Sequence, residues 1–244
     1  MPSVSAGDLR RLAAINGLVV NEKLPGETRR EAGELLIEQR WGMAVKDPWW
    51  FIRNLCVTLD EHDSKDPYKR FPNHEYLRRI CYDWEEWSNR MPYWVPKSRQ
   101  MMVSWLMAGL HLWLFMTLEA QLIFFQSKKE EDACRLVDRA WFMYERFPEE
   151  VKLKVPAEKF SGKISCKGKN SLIWGIPQGA DQIRSNVPSA VLSDEMAFQD
   201  DAEMSFVAAL PAVEGGGRYT AVSSASPGFF FCMVEDLDSE VARG

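Results

Sequence analysis

Eighteen consecutive residues, from Met101 to Leu118, carry no formal charge, and this run limits how the chain can fold. A membrane-spanning helix needs roughly 17–25 apolar residues, so the run reaches the lower limit. Ser104, His111 and Thr117 interrupt it, and a second apolar run follows at residues 121–125. A helix buried on all sides within an α/β core has the same composition. We therefore expect a buried helix and no membrane association, whereas a membrane protein would require detergent for solubility.

Short apolar segments alternate with helical patterns over the second half of the chain. Segments typical of strands lie at residues 93–97, 121–127, 189–195 and 219–227, and a hairpin is expected within 163–177. Strands separated by helices predict an α/β fold with a mostly parallel central sheet covered by helices. Ligands bind beyond the carboxyl ends of the strands in such sheets. The strand ends PKSRQ, SDE and SSASP are therefore the first candidates for a functional site.

The first 69 residues have a different pattern, which predicts a small helical N-terminal lobe or lid before a core of residues 70–244. Two helices are expected near the start of the chain, the second from Thr28 to Trp41. The aromatic segment 46–56 is also expected to be helical. The charge-dense segment 58–69 has no periodicity and predicts a loop.

Charge and cysteine content exclude two broad classes of protein. The chain has 30 basic and 35 acidic residues, for a net charge of −5, so bulk positive charge cannot hold it on nucleic acid. Any contact with DNA must come from a local patch. Its five cysteines include no CxxC pair and its three histidines are scattered, so we expect no zinc site. An odd cysteine count without a signal peptide favours a reducing compartment.

Asp194 and Glu195 stand together where a buried strand is expected to end. Two adjacent carboxylates there would repel each other unless a cation or a water molecule required them. In a nucleotide hydrolase the first acid, Asp194, would hold Mg²⁺ and the second, Glu195, would polarise the attacking water. The alternative is a strand that simply ends in a charged turn.

A basic segment between an expected strand and the uncharged helix has features of a phosphate-binding loop. Such a loop needs inward backbone N–H groups, a helix N-terminus, a cation and a hydroxyl for Mg²⁺. Ser104 supplies the hydroxyl, and Lys97 or Arg99 the cation. The usual pattern GxxxxGK[ST] is not satisfied, and a left-handed backbone at Met102 would cost roughly 1–2 kcal/mol. The candidate nucleotide-binding residues are Lys97, Ser98, Arg99, Gln100, Met101, Met102, Val103, Ser104 and Trp105. The alternative is an ordinary basic turn.

Small hydroxyl residues end the last expected strand. They can hydrogen-bond both a water near a phosphate and a neighbouring loop, which suits an element that senses the terminal phosphate. The alternative is a serine-rich turn closed by Pro227. The candidate coupling residues are Ser223, Ser224, Ala225 and Ser226.

Taken together, these motifs resemble the ATPase domain of the large terminase subunit, the motor that packages DNA into tailed-bacteriophage capsids. KSRQMMVSW is similar to that family's deviant Walker A motif, AVLSDE to its Walker B motif and SSASP to its coupling motif. FPNHEYLRRI resembles the adenine-side segment, although the glutamine often found there is absent. The resemblance covers roughly residues 70–235. It implies a RecA-like (ASCE) P-loop fold, ATP and Mg²⁺ as ligands, and Mg²⁺-dependent ATPase activity.

The resemblance also implies partners and a further catalytic residue. Arg184 matches the family's arginine finger, which is often supplied to a neighbouring subunit, although it also suits an ordinary surface loop. The expected partners are double-stranded DNA, the portal protein, the small terminase subunit and further copies in a ring, with the isolated domain monomeric. The expected location is the bacterial host cytoplasm, transiently at the procapsid portal. A C-terminal nuclease domain usually follows, and we expect no nuclease activity from a chain ending at Gly244.

A lysine-rich stretch is a further candidate for DNA contact. Residues 152–169 hold six lysines and one glutamate. Such a run permits a hairpin that follows phosphates, but it is also typical of a solvated face. The candidates for DNA contact are Lys159, Lys163, Lys167 and Lys169.

Two rival functions fit the same motifs. Met102 and Val103 depart from the usual phosphate loop, which favours a nucleotide-binding scaffold that has lost catalysis. Another RecA-like translocase or a helicase also combines a DE box with a small-residue coupling motif. A helicase would need a second RecA-like domain, for which 244 residues leave no room.

Overall fold

The computed structural model describes residues 37–235. The chain divides into two compact units, residues 1–47 and 48–244. In the first unit residues 37–46 are helical, and most of the helix predicted from Thr28 to Trp41 lies outside the described residues. Residues 48–69, which the sequence pattern placed with the N-terminal lobe, fall in the second unit.

The second unit alternates helices and strands. Its helices are α1 (Pro48–Asn54), α2 (Glu75–Trp87), α3 (Val103–Thr117), α4 (Glu130–Glu145), α5 (Glu149–Lys154), α6 (Asp181–Arg184), α7 (Ala202–Glu214) and α8 (Phe229–Glu235). Its strands are β1 (Val57–Leu59), β2 (Tyr68–Arg70), β3 (Tyr93–Pro96), β4 (Leu122–Ser127), β5 (Glu158–Phe160), β6 (Lys163–Cys166), β7 (Ser171–Pro177), β8 (Ala190–Asp194) and β9 (Arg218–Ser223). Short 3₁₀ turns lie at Lys167–Lys169 and Met196–Phe198.

Seven strands form the central sheet, in the order β3-β9-β8-β4-β7-β6-β5. The first five are parallel, and β6 and β5 extend the sheet as antiparallel strands. The last strand, β9, lies between β3 and β8. This confirms the predicted α/β fold with a mostly parallel sheet and the predicted hairpin within 163–177.

Helix α3 is the uncharged run, and it is buried within the unit. Twelve of its fifteen residues are buried, including His111, which has no exposed surface. His111 Nδ1 donates to the carbonyl of Met107 at 2.8 Å, and burial lowers the pKa of His111 to about 4, so the ring is neutral at pH 7. Gly109 allows close packing of α1, because a Cβ there would lie 2.5 Å from Ile52 Cδ1. None of the helices in residues 37–235 is long and apolar enough to cross a bilayer.

The segment predicted as a loop, residues 58–69, is a loop flanked by two short strands. β1 and β2 pair antiparallel with Thr58 opposite Lys69. Lys69 Nζ donates to Asp63 at 2.7 Å and to Asp66 at 2.9 Å, which holds the connecting segment in place. Residues 60–67 form the predicted loop. Only the strands at its ends were missed, because strands of three residues are too short to produce an alternating pattern.

Candidate nucleotide-binding site

Two adjoining cavities lie near the carboxyl ends of β3 and β8. The larger has a volume of about 1010 Å³ and the smaller about 470 Å³. Four residues line both cavities: Arg99, Ser104, Arg139 and Glu195. Ser104 of the basic loop motif, Glu195 of the acid pair and Ser224 of the coupling motif therefore lie at one edge of the sheet.

Lys97 reaches Glu195 across that edge. The backbone N–H of Lys97 donates to the carbonyl of Ser223 at 2.9 Å, which fixes the end of β3 against β9. The ammonium Nζ then lies 2.6 Å from Glu195 Oε1, and only 8% of the lysine side chain is exposed. Because β9 separates β3 from β8, the lysine spans the strand that carries the coupling motif.

Glu195 is held in place by the coupling motif as well as by Lys97. Its Oε2 accepts hydrogen bonds from Ser224 Oγ at 3.1 Å, Ser224 N at 3.4 Å and Ser223 Oγ at 3.4 Å. Burial acts to raise the pKa of Glu195, but the hydrogen bond and charge of Lys97, together with Ser224, outweigh it and hold that pKa below its ordinary value. Glu195 is therefore ionised at neutral pH.

Asp194 and Ser104 form the second pair in the site. Ser104 Oγ, in the first turn of α3, donates to Asp194 Oδ1 at 2.9 Å. Burial raises the pKa of Asp194, and the hydrogen bond from Ser104 only partly offsets this. A hydroxyl beside a buried carboxylate matches the hard oxygen ligands of Mg²⁺, and a cation would compensate the cost of burying the charge.

The loop before α3 has two residues in the left-handed region. Gln100 has φ 60° and Met102 has φ 59° with ψ 5°. The awkward conformation anticipated for Met102 is therefore present. Tyr76 Oη donates to the carbonyl of Met101 at 3.1 Å, which helps to fix the loop. The larger cavity is lined by every residue from Arg99 to Trp105, whereas Ser98 is exposed and lines neither cavity.

Replacing Met102 is expected to reveal this backbone strain. At an ordinary helical or extended position glycine is less stable than alanine by roughly 0.5–1 kcal/mol. At Met102 the order should reverse, with Met102→Gly more stable than Met102→Ala by about 1 kcal/mol. Urea unfolding of the two variants gives this difference directly, because both remove the same side chain. An alanine variant more stable than the glycine variant would show that Met102 is not strained in solution.

The coupling residues differ in their contacts. Ser223 Oγ accepts a hydrogen bond from Ala197 N at 3.1 Å, so β9 is joined to the turn that follows the acid pair. Ser224 contacts Glu195, as described above. Ala225 is exposed and Ser226 half-buried, and neither lines the two cavities.

Arg184 does not lie in the cavities. It ends the short helix α6, is exposed, and lines neither cavity. The structure of one chain therefore does not bring Arg184 together with Lys97 and Glu195.

The four candidate DNA-binding lysines lie on or beside β5 and β6, and none lines either cavity. Each already has a contact within the chain. Lys159 pairs with Asp138 at 2.6 Å and Lys167 with Glu158 at 3.8 Å. Lys163 lies 3.8 Å from the centre of the Trp174 ring, and Lys169 donates to the carbonyl of Leu118 at 3.5 Å.

Several residues of the cavities belong to no motif found in the sequence. The β1–β2 hairpin lines the larger cavity, and Arg139 of α4 lines both. A signal for Arg139 does exist in the sequence. Arg135 has Asp132 three positions earlier, whereas no acidic residue lies three or four positions from Arg139. An arginine without a helical ion-pair partner is available for another role.

Comparison with known proteins supports the fold. No protein-family model and no curated protein matches the chain. The chain is similar in structure to the large terminase of bacteriophage HK97, with 14% identity over 74% of this chain and a TM-score of 0.54. It is also similar to the large terminase of a thermophilic bacteriophage, with 15% identity over 69% and a TM-score of 0.53.

A second structure of that thermophilic phage's terminase is in complex with ADP and matches 70% of this chain at 15% identity, with a TM-score of 0.51. The chain spans only 37% to 43% of the length of these terminases. At this level of identity the similarity shows the fold. The chain therefore has the RecA-like fold found in phage large terminases.

Proposed function

We propose that this chain is the ATPase motor domain of a viral large terminase, which hydrolyses ATP to move double-stranded DNA into a procapsid. The observation that carries the proposal is the convergence of Lys97, Ser104, Asp194 and Glu195 at one sheet edge. Lys97 contacts Glu195 at 2.6 Å and Ser104 contacts Asp194 at 2.9 Å. A fold shared with two phage terminases, one of them solved with ADP, supports a nucleotide as the ligand.

The larger cavity is big enough for a nucleotide, since small-ligand pockets commonly measure about 300–1,000 Å³. Lys97 and Arg99 line the larger cavity and supply positive charge for phosphates there. Ser104 and Asp194 would hold Mg²⁺, which when bound neutralises charge on the phosphates. The N-terminus of α3 adds the partial positive charge of a helix end.

Glu195 is the general base in this proposal. It is paired with Lys97 in the structure, so neither group is free. A triphosphate competes for Lys97 because its charge exceeds that of one carboxylate. Glu195 then keeps its hydrogen bonds to Ser224 and turns its other oxygen to a water molecule, from which it accepts a proton.

The same contacts offer a route by which hydrolysis could act on the rest of the motor. Ser224 binds Glu195, and Ser223 binds the turn after the acid pair. A change in the pairing of Glu195 therefore reaches the end of β9 directly. We propose Ser223 to Ser226 as the coupling segment on this basis.

An exposed Arg184 outside its own chain's cavities suits an arginine finger that acts on a neighbouring copy in a ring. The proposed partners are double-stranded DNA, the portal protein and the small terminase subunit, in the host cytoplasm at the procapsid. For DNA contact we propose the lysines on or beside β5 and β6, each of which also has a contact within the chain.

Binding of ATP should depend on Mg²⁺ through Asp194. We expect Asp194→Asn to lose the gain in ATP affinity that Mg²⁺ gives the unaltered chain, a change of about tenfold or more. Isothermal titration with and without Mg²⁺ measures the gain. Asp201→Asn is the matched control, since Asp201 lines neither cavity and should leave the gain intact. A full Mg²⁺ effect in Asp194→Asn would exclude the proposed metal position.

A nucleotide-binding scaffold without catalysis is the second candidate. The strained Met102 and the closed Lys97–Glu195 pair favour it, because both must be accommodated before a triphosphate can bind. A scaffold that has lost its metal site would bind ATP equally with and without Mg²⁺. The titration above therefore separates the two functions.

A further inference from the structure

Arg139 occupies an unusual position among the cations of the site. Four basic residues line the smaller cavity: Arg99, Lys128, Arg135 and Arg139. Lys128 pairs with Asp200 at 3.0 Å, and Arg135 pairs with Asp132 at 2.6 Å. Arg139 forms no ion pair or hydrogen bond with any residue in the described range 37–235, and Arg99 belongs to the exposed loop.

The guanidinium of Arg139 is held by stacking instead of by a carboxylate. Its Cζ lies 5.7 Å from the centre of the Trp105 ring, in a cation–π contact. Trp105 directly follows Ser104, so this contact places the guanidinium beside the loop that precedes α3. The side chain is half-buried, so water competes less with other ligands for the guanidinium.

Arg139 also lies at the acid pair. It lines both cavities, as Ser104 and Glu195 do, and Asp194 lines the smaller one. Arg139 therefore stands where the two cavities meet, beside the carboxylate proposed to hold Mg²⁺.

We propose that Arg139 is a catalytic residue that acts in its own chain on the terminal phosphate of ATP; this rests on the proposed function. The water oxygen bonds to the γ-phosphorus while the bond to the bridging oxygen breaks. ADP leaves with the electron pair, and Glu195 takes the proton of the water. Arg139 donates to the γ-phosphate oxygens, whose charge it stabilises through this transfer. An arginine already in the site would serve alongside one supplied by a neighbouring copy.

Affinities for two nucleotides test the proposal, since only one of them has a γ-phosphate. Titration of the folded chain with ATPγS and with ADP, both with Mg²⁺, gives a ratio of dissociation constants. We expect Arg139→Gln to weaken ATPγS binding about tenfold and ADP binding by less than about twofold. Arg139→Lys should recover part of the loss, because it keeps the charge without the fork of donors.

Arg135→Gln is the matched control, because Arg135 lies one turn away on the same helix and lines the smaller cavity but already has a carboxylate partner. It should leave the ratio unchanged. An unchanged ratio in Arg139→Gln would overturn the proposal, whether both affinities stay the same or both fall equally. Equal losses with a lower unfolding temperature in both Arg139 variants would leave Arg139 a packing role. If the unaltered chain binds neither nucleotide, the proposed function itself fails.

Discussion

Glu195→Gln is expected to slow ATP hydrolysis by about a hundred- to ten-thousandfold while leaving ATP binding intact or stronger. Glutamine keeps the shape of the side chain and can still accept hydrogen bonds from Ser224. It cannot take a proton from water, so the general base is lost. Lys97 also loses its ionised partner, which in the present structure lies 2.6 Å away. The lysine is then free to bind phosphate, and the ATP affinity rises or stays the same.

Single-turnover hydrolysis, with the chain in excess over radiolabelled ATP, measures this even if the isolated chain is slow. Glu203→Gln is a suitable control, because Glu203 is exposed on α7 and lines neither cavity. It should hydrolyse ATP as the unaltered chain does. Unchanged hydrolysis in Glu195→Gln would show that Glu195 is not the general base.

Lys97→Ala is expected to weaken ATP binding by about ten- to a hundredfold, and hydrolysis with it. The lysine side chain is only 8% exposed and reaches the site across β9, so no nearby residue replaces its charge in the same place. Arg99 lies on the exposed loop and would compensate poorly. If Lys97→Ala bound ATP as tightly as the unaltered chain, then Lys97 would not carry the phosphate contact.

The same variant has a readout that needs no nucleotide. Because the pKa of Glu195 is held below its ordinary 4.5 in the folded chain, its pairing with Lys97 stabilises the fold fully above pH 4.5. This stabilisation is lost as the pH falls through the lower pKa of the folded state. Unaltered chain and Lys97→Ala should therefore differ most in unfolding free energy above pH 4.5 and converge in acid. A difference that grows in acid would contradict the ion pair.

The strand ends could be predicted from sequence because each combines a buried apolar run with polar residues at its carboxyl end. Asp194 and Glu195 follow such a run. Because the carboxyl ends of parallel strands lie at one edge of the sheet, the residues that end the other strands are expected close to the acid pair. The order of the strands could not be read in this way. Alternation of strands and helices does not say that β9 lies between β3 and β8, and this insertion sets the span between Lys97 and Glu195.

Other features escaped prediction because their signal is tertiary. The β1–β2 hairpin is three residues long on each side, and most of its residues are exposed or half-buried, so no pattern of burial marks it. Arg139 lies on α4, and its place at the site shows only in its packing against Trp105 and in its position at the two cavities. The missing acidic partner was visible in the sequence, although its meaning depends on the cavity.

The most direct test of the central claim is a crystal structure of the chain with a non-hydrolysable ATP analogue and Mg²⁺. The claim is that one triphosphate is surrounded by Lys97, Ser104 and the acid pair. We expect the phosphates to lie between Lys97 and Ser104, with Mg²⁺ beside Asp194 and the lysine released from Glu195. A nucleotide bound elsewhere, or phosphates excluded from the loop while Lys97 remains paired with Glu195, would contradict the account.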